Sequence, residues 1–377
     1  MSKIQDLTKR GLIKPPKFLP GNVHYETIMG SVAYGVSSDT SDIDLYGFFI
    51  PPKDDIFPHL KGEIPGFGTQ KQRFEQYQPD HIDDKEYAKS YDITVYSIVK
   101  YFQLCLENNP NMLDSLFTPE DCVLSITEVG RMVKDRRKEF LHKGSWHKFR
   151  GYAHSQLHKI GIKTPKGLKE LEEFEKKHRI TRGALNAVIT REDVLWEEFL
   201  RQEKPKRYAS SLLPPNSFLA VSAALETLDG DQLAEYSELW LIAGKRVDNI
   251  REHNFDTKFA YHVVRLMDEA EQILEYHDID LRRNREQLKS IRRGELSLRD
   301  ITDLFARKEI QLDELYAKST LRCSPDESAI KQLLLDCLEC HYGSLRAAIT
   351  IPGQFEKALS DIIEIAENAK RATGVST

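Results

Sequence analysis

The stretch MGSVAYGVSSDTSDIDLYGFFIPP, residues 29–52, decides the fold prediction. It combines a Gly-Ser pair, several small hydroxyl residues and two aspartates one residue apart, all between apolar segments. The alternating pattern of SDIDLYGFFI, with its aromatic and β-branched residues, predicts a β-strand. Pro51 and Pro52 then end the strand, because proline cannot donate to a strand ladder.

Upstream of this strand, residues 24–29 predict another strand, and Gly30 and Ser31 predict a turn into a short helical segment at 32–35. A glycine at a strand end lets backbone N–H groups approach an anion, and the start of a helix adds its positive end. Gly30 and Ser31 are therefore predicted to bind phosphate.

Asp42 and Asp44 lie two residues apart, so the pleat of a strand directs both carboxylates to one face. Neighbouring carboxylates resist simultaneous ionisation unless a cation lies between them. Their hard oxygen atoms suit Mg²⁺, or alternatively Mn²⁺. A third carboxylate is expected nearby, and Asp92, which opens the predicted strand DITVYS, is the candidate. Asp42, Asp44 and Asp92 are thus the predicted catalytic residues and metal ligands.

The chain changes character after about Pro119. Before this point the pattern alternates between strands and short helices, and after it apolar residues recur almost entirely with helical spacing. Helices are predicted at 129–141, 146–160, 191–203, 259–275 and 329–341. The sequence therefore predicts an α+β fold, with a mixed sheet and catalytic domain in residues 1–120 and a helical domain in residues 121–377.

Composition limits the class of protein. The 377 residues include 59 acidic and 54 basic residues, for a net charge of −5, which argues against a surface that grips nucleic acid non-specifically. Five cysteines without an apolar signal segment predict free thiols and a cytoplasmic protein. No stretch approaches the roughly 20 apolar residues of a membrane span.

The segment GSVAYGVSSDTSDIDLYG resembles the signature of the DNA polymerase β-like nucleotidyltransferase superfamily, a Gly-Ser turn followed by Asp-x-Asp with a third acid on a later strand. Within that superfamily the chain most resembles the predicted nucleotidyltransferases first noted beside RNA ligases, including their bacteriophage members. Three more segments carry this likeness: YDITVYSIVKYFQLCLENNPNMLDSLF from Tyr91, KFRGYAHSQLHKI from Lys148 and FDTKFAYHVVRLMDEAEQIL from Phe255. The resemblance implies a polymerase-β-like mixed sheet followed by a helical domain.

The resemblance also implies a nucleoside triphosphate such as ATP as substrate, with Ser41 among its contacts. Many superfamily members carry a basic residue at the position of Tyr34, which leaves open what contacts the outer phosphates from this turn. Lys258, His262 and Arg265 follow i, i+4 and i+7 spacing on one predicted helix and are the candidates. A solvated helix face is the alternative interpretation. The basic run LRRNREQLKSIRRGE from Leu281 is either an exposed amphipathic helix or a contact for RNA backbone.

The predicted function is metal-dependent transfer of a nucleoside monophosphate from a triphosphate to a hydroxyl acceptor. Association of the family with RNA ligases implies an RNA end, such as that of a tRNA, as the acceptor. Two alternatives stay open at this point. One is adenylylation of a protein or small molecule, and the other is a catalytically silent module that binds nucleotide or RNA.

Overall fold

The computed structural model describes residues 2–37, 42–64, 66–69, 72–162, 165–178, 232, 235, 247–344 and 358–366. The fold is α+β, as the sequence predicts, with a mixed sheet in the N-terminal part and helices after it. The helix predicted at 191–203 lies outside the described residues. The chain divides into two compact units, the first formed by Met1–Phe149, Asp268–Arg285 and Gln311–Thr377, and the second by Arg150–Met267 and Glu286–Ile310. The predicted boundary near residue 120 stays a prediction.

The sheet, within the described residues, has six strands. They are β1 (Val23–Ile28), β2 (Ile43–Phe49), β3 (Gln76–Tyr77), β4 (Ile82–Asp84), β5 (Lys89–Ser97) and β6 (Val123–Ile126). The strand order is β3-β5-β2-β1-β6, and β4 also pairs with β5. The central pair, β2 and β5, is parallel, and the other pairs are antiparallel. The sheet is therefore mixed, as the sequence predicts.

The helices of the described residues are numbered in chain order. They are α1 (Lys3–Lys9), α2 (Gly30–Ala33), α3 (Lys53–Ile56), α4 (Ile98–Leu106), α5 (Pro110–Leu116), α6 (Glu128–Asp135), α7 (Ser145–Ile162), α8 (Pro165–Lys177), α9 (Val247–His253), α10 (Thr257–Tyr276), α11 (Arg285–Arg292), α12 (Leu298–Lys318) and α13 (Glu327–Tyr342). Short 3₁₀ turns lie at Pro58–Lys61, Glu120–Cys122 and Arg137–Phe140. A further helical segment covers 358–366. None of the helices in this part of the chain is long and apolar enough to cross a membrane.

The two faces of the sheet pack against different helices of the first unit. Alternate residues of the central strands, such as Leu45 and Ile93, join a buried cluster with Ile4 and Leu7 of α1. On the opposite face, the ring of Phe48 lies 5.0 Å from that of Tyr101 in α4. This two-layer burial fixes the register, because a one-residue slip would exchange the two faces of a strand.

The structure differs from the predicted elements at several places. The helix predicted at 129–141 ends at Asp135 and is followed by the 3₁₀ turn at Arg137–Phe140. The pattern did not predict β6, which pairs with β1 and extends the sheet beyond residue 120. The short helix after the Gly-Ser turn begins at Gly30, two residues before the predicted start. All five cysteines are free, in agreement with the predicted free thiols.

Candidate active site

Gly30 lies against the carboxylate of Asp44 more closely than any other residue type allows. Its φ is +64°, a left-handed conformation that favours glycine. A Cβ at this position would overlap Asp44 Oδ2 and would lie 2.9 Å from Asp44 Cγ. The backbone of the two segments is also joined, because the Met29 N–H donates to the Asp44 carbonyl at 2.7 Å. The Gly-Ser turn and the Asp-x-Asp motif thus meet at the first turn of α2.

Asp92 occupies the same level of the sheet as Asp44. In the parallel ladder between β2 and β5, these two residues are direct partners, so their side chains leave the sheet on the same face. Both are half-buried. The structure therefore brings together Gly30, Asp44 and Asp92, three residues that the sequence analysis selected.

Asp42 lies at the entry to β2. Asp42 is exposed and lies one residue before the first residue of the strand, Ile43, so it precedes the ladder and does not belong to it. Ser41 lies outside the described residues. The strand pattern predicted Asp42 and Asp44 on one face of a strand, whereas only Asp44 is a strand residue.

One oxygen of Asp92 already has a partner. Its Oδ1 accepts a hydrogen bond of 2.7 Å from the backbone N–H of His81, and the His81 Nδ1 lies 3.8 Å from the same oxygen. His81 has a φ of +54°, which is uncommon for a residue with a Cβ. This loop conformation aims a main-chain donor at the carboxylate and thereby orients Asp92.

The face below the two aspartates is polar and buried. Tyr34, at the end of α2, donates its hydroxyl proton to Asp114 Oδ2 at 2.7 Å, with both side chains buried. Burial raises the pKa of Tyr46 to about 12, and negative charge at Tyr96 and Asp44 adds to the shift. Tyr34 therefore contributes a hydrogen bond to α5 at the position where many superfamily members carry a basic residue.

Across the described residues, no group of three or more His, Cys, Asp or Glu side chains is arranged as a metal-binding cluster. The carboxylates of Asp44 and Asp92 on adjacent strands are nevertheless hard oxygen donors on a shared face. Mg²⁺ in proteins commonly takes one or two carboxylates and completes its shell with water and substrate phosphates. A pair of carboxylates beside the Gly30 turn fits that donor set.

Lys258, His262 and Arg265 belong to the second unit. All three lie on α10, as the sequence predicts, and Asp256 Oδ1 accepts the Lys258 N–H at 2.9 Å where the helix begins. The three side chains differ in exposure, since Lys258 is exposed, His262 is half-buried and Arg265 is buried. Their role toward a nucleotide stays a prediction.

The basic run that begins at Leu281 contributes a residue that the sequence analysis did not select. Its predicted apolar positions Leu281, Leu288 and Ile291 are buried. Arg282, by contrast, donates from Nε to the carbonyl oxygen of Ala33 at 3.2 Å, at the end of α2. The two residues are 249 positions apart, so no local spacing signals the contact.

Two matches connect this chain with known proteins. Residues 11–180 match the family described as RlaP, the RNA repair pathway DNA polymerase beta family. An uncharacterized 38.9 kDa protein from the nrdC-mobD intergenic region of Enterobacteria phage T4 is 27% identical over 140 residues, or 37% of this chain. The chain spans only 38% of the length of that phage relative. No solved structure matches the chain.

The family match covers the Gly30 turn, Asp44 and Asp92. It also names the RNA repair context that the sequence resemblance implied. Over residues 11–180, the resemblance of this chain to polymerase β-like proteins of RNA repair is thereby confirmed.

Proposed function

We propose that this protein is a nucleotidyltransferase that moves a nucleoside monophosphate from a triphosphate to a hydroxyl group of RNA. The observation that carries the proposal is the close approach of Gly30 to Asp44, with Asp92 as the direct ladder partner of Asp44. These residues lie inside the segment that matches the RNA repair pathway DNA polymerase beta family. That family description supports RNA as the acceptor.

In this proposal Asp44 and Asp92 hold a Mg²⁺ or Mn²⁺ ion, and Asp42 supplies a further carboxylate from the segment before β2. The ion would neutralise charge that develops on the transferred phosphoryl group. The fit rests on the donor chemistry, because both ladder carboxylates offer hard oxygen atoms on one face of the sheet.

The residues of the chain have separate tasks in the transfer. The N–H groups of Gly30 and Ser31 bind the triphosphate and hold it over the sheet. Asp92 accepts the proton of the acceptor hydroxyl, whose oxygen then forms a bond to the α-phosphorus. The bond from the α-phosphorus to the bridging oxygen breaks, and pyrophosphate leaves with that electron pair. The assignment of Lys258, His262 and Arg265 as nucleotide contacts stays a prediction.

The test is transfer of label from each of the four α-³²P-labelled triphosphates to RNA, with purified full-length protein and Mg²⁺ or Mn²⁺. We expect labelled RNA and released pyrophosphate with the wild-type protein. Asp44→Asn and Asp92→Asn should each lower the rate roughly 10²–10³-fold, the magnitude typical for loss of an electrostatic contact to the transition state. The exposed Asp83→Asn on neighbouring β4 is the matched control and should retain the wild-type rate.

Each other result of this assay contradicts the proposal in a specific way. If the label appears on the protein or on a small molecule and not on RNA, that molecule is the acceptor and RNA is not. Nucleotide binding without any transfer would indicate a silent binding module. If the Asp44→Asn variant transfers label as fast as the Asp83→Asn control, Asp44 has no role in the reaction and the proposed active site is wrong.

A further inference from the structure

Helix α2 has only four residues, so the way in which its far end is held determines where Gly30 lies. Three of its carbonyl oxygens accept backbone hydrogen bonds: Gly30 from Tyr34 N–H at 3.2 Å, Ser31 from Val36 N–H at 2.8 Å and Val32 from Gly35 N–H at 3.0 Å. The last two bonds, with the left-handed φ of +68° at Gly35, form a Schellman motif.

The fourth carbonyl oxygen of α2, that of Ala33, is not bonded within the Schellman motif. The side chain of Arg282 donates a hydrogen bond to it. Arg282 Nε donates to this oxygen at 3.2 Å, Nη1 donates to Asp121 Oδ2 at 2.9 Å and Nη2 lies 3.3 Å from Cys122 Sγ. A single guanidinium thus joins the end of α2 to the 3₁₀ turn at Glu120–Cys122. All of these residues belong to the first unit.

The alkyl part of the basic run packs against the same turn. A Cβ added at Gly35 would lie 3.5 Å from Arg285 Cδ and 3.8 Å from Arg282 Cγ, which is ordinary van der Waals contact. A cation at the C-terminal end of a helix also complements the helix dipole. A four-residue helix is far too short to be stable by itself, so these external contacts hold it.

We propose that Arg282 is a positioning residue of the candidate active site: it fixes α2 so that Gly30 stays against Asp44, without itself touching the nucleotide. The inference rests on the proposed function for its consequence, and on the three contacts of the Arg282 guanidinium for its mechanism. Lysine cannot replace Arg282, because a lysine ammonium group lacks the planar guanidinium geometry that lets Arg282 reach all three partners at once.

The first measurement is independent of activity. Hydrogen exchange of the amides of residues 30–36 in the full-length protein should become at least about 10-fold faster in Arg282→Met, which corresponds to the loss of about one charge-assisted hydrogen bond. Arg283→Gln is the matched control, because Arg283 is the next residue and pairs instead with Glu271 at 3.4 Å. Unchanged exchange in Arg282→Met, or equal acceleration in the control, would overturn the inference.

The second measurement is the split between KM and kcat in the labelled-triphosphate assay. Arg282→Met should raise the KM for the triphosphate about 10-fold and change kcat much less, because a displaced turn weakens binding before and during the reaction alike. Arg282→Lys should restore only part of the affinity. If the wild-type protein transfers label and Arg282→Met keeps its KM, the inference fails and the proposed function stands; if the wild-type protein transfers none, the proposed function itself fails.

Discussion

Gly30 is the residue at which backbone conformation and site chemistry coincide. Gly30→Ala places a Cβ on the Asp44 carboxylate and forces alanine to a φ of +64°. We expect a loss of stability of roughly 1–3 kcal/mol from the backbone strain. The displaced Asp44 should lower transfer by at least about 10²-fold. Urea denaturation and the labelled-triphosphate assay measure the two effects separately.

Gly62 provides the matched control for this substitution. Its φ is +74°, close to that of Gly30, but no atom lies within 4 Å of an added Cβ. Gly62→Ala should therefore cost similar stability without an effect on transfer. A Gly30→Ala variant with full activity, or an equal loss of activity in both variants, would show that the contact between Gly30 and Asp44 has no role in the reaction.

Residue patterns in the sequence predicted one part of this site and could not predict the rest. Gly30 and Asp44 were recognisable because each lies next to a strand end with a distinctive chemical type. Asp92 was selected as the residue that opens its strand, whereas β5 begins three residues earlier, at Lys89. The direct pairing of Asp44 with Asp92 depends on strand order and register, which the packing of both sheet faces decides. The contact between Arg282 and Ala33 joins distant parts of the chain, and no periodicity encodes it.

Among the elements, α1 is attached to the sheet by a buried carboxylate. Glu26 of β1 is fully buried and accepts the N–H groups of Lys3 and Ile4, at 2.7 and 3.0 Å, where α1 begins. Glu26→Ala would leave two buried donors without their acceptor. We expect a loss of about 2 kcal/mol or more in the free energy of unfolding.

Asp6→Ala, on the same helix, is the comparison for this prediction. Asp6 makes partly exposed ion pairs with Lys3 and Arg10, so its loss should cost less than about 1 kcal/mol. Urea denaturation of both variants and of the wild-type protein gives the two differences. If Glu26→Ala proves no more damaging than Asp6→Ala, the carboxylate does not hold α1 on the sheet.

The strands and helices themselves were predictable to different degrees. The alternation in β1, β2 and β5 was strong because each strand has an aromatic or β-branched core face. The four residues of β6, VLSI, are too few to establish a period, and the strand exists because β1 offers it an edge. Its formation is a tertiary effect, which explains why the local pattern missed it.

At the scale of the whole molecule, the buried Glu26 and the half-buried His24, both on β1, give the stability opposite dependences on pH. Burial raises the pKa of Glu26 to about 7. The folded state therefore holds a proton that the unfolded state releases above about pH 4.5, and this contribution to stability falls as the pH rises from about 4.5 to 7. Burial, aided by the neighbouring His341, lowers the pKa of His24 to about 4. The contribution of neutral His24 to the free energy of unfolding is complete above about pH 6.5 and is lost as the pH falls toward 4.

His24 connects β1 to α13, because its Nε2 lies 3.0 Å from His341 Nδ1 and its Nδ1 lies 2.8 Å from the Thr127 hydroxyl. One ring must donate and the other accept in this pair, so protonation of both rings leaves no acceptor nitrogen, and acid should weaken the contact between strand and helix. Burial lowers the pKa of His341 as well, and its contribution has the same sign as that of His24.

The prediction is that single substitutions unmask these opposing contributions between about pH 4.5 and 6.5. Glu26→Gln should make the free energy of unfolding fall more steeply on acidification than in the wild-type protein, and His24→Gln should make it fall less steeply. Each change in slope should reach at most about 1.4 kcal/mol per pH unit, the limit for one proton. Urea denaturation at intervals of half a pH unit measures the slopes. The double variant should return close to the wild-type slope, because the opposing contributions of Glu26 and His24 are then both absent. If the slope shifts in the same direction in both single variants, the two groups do not have opposite effects on the pH dependence of stability.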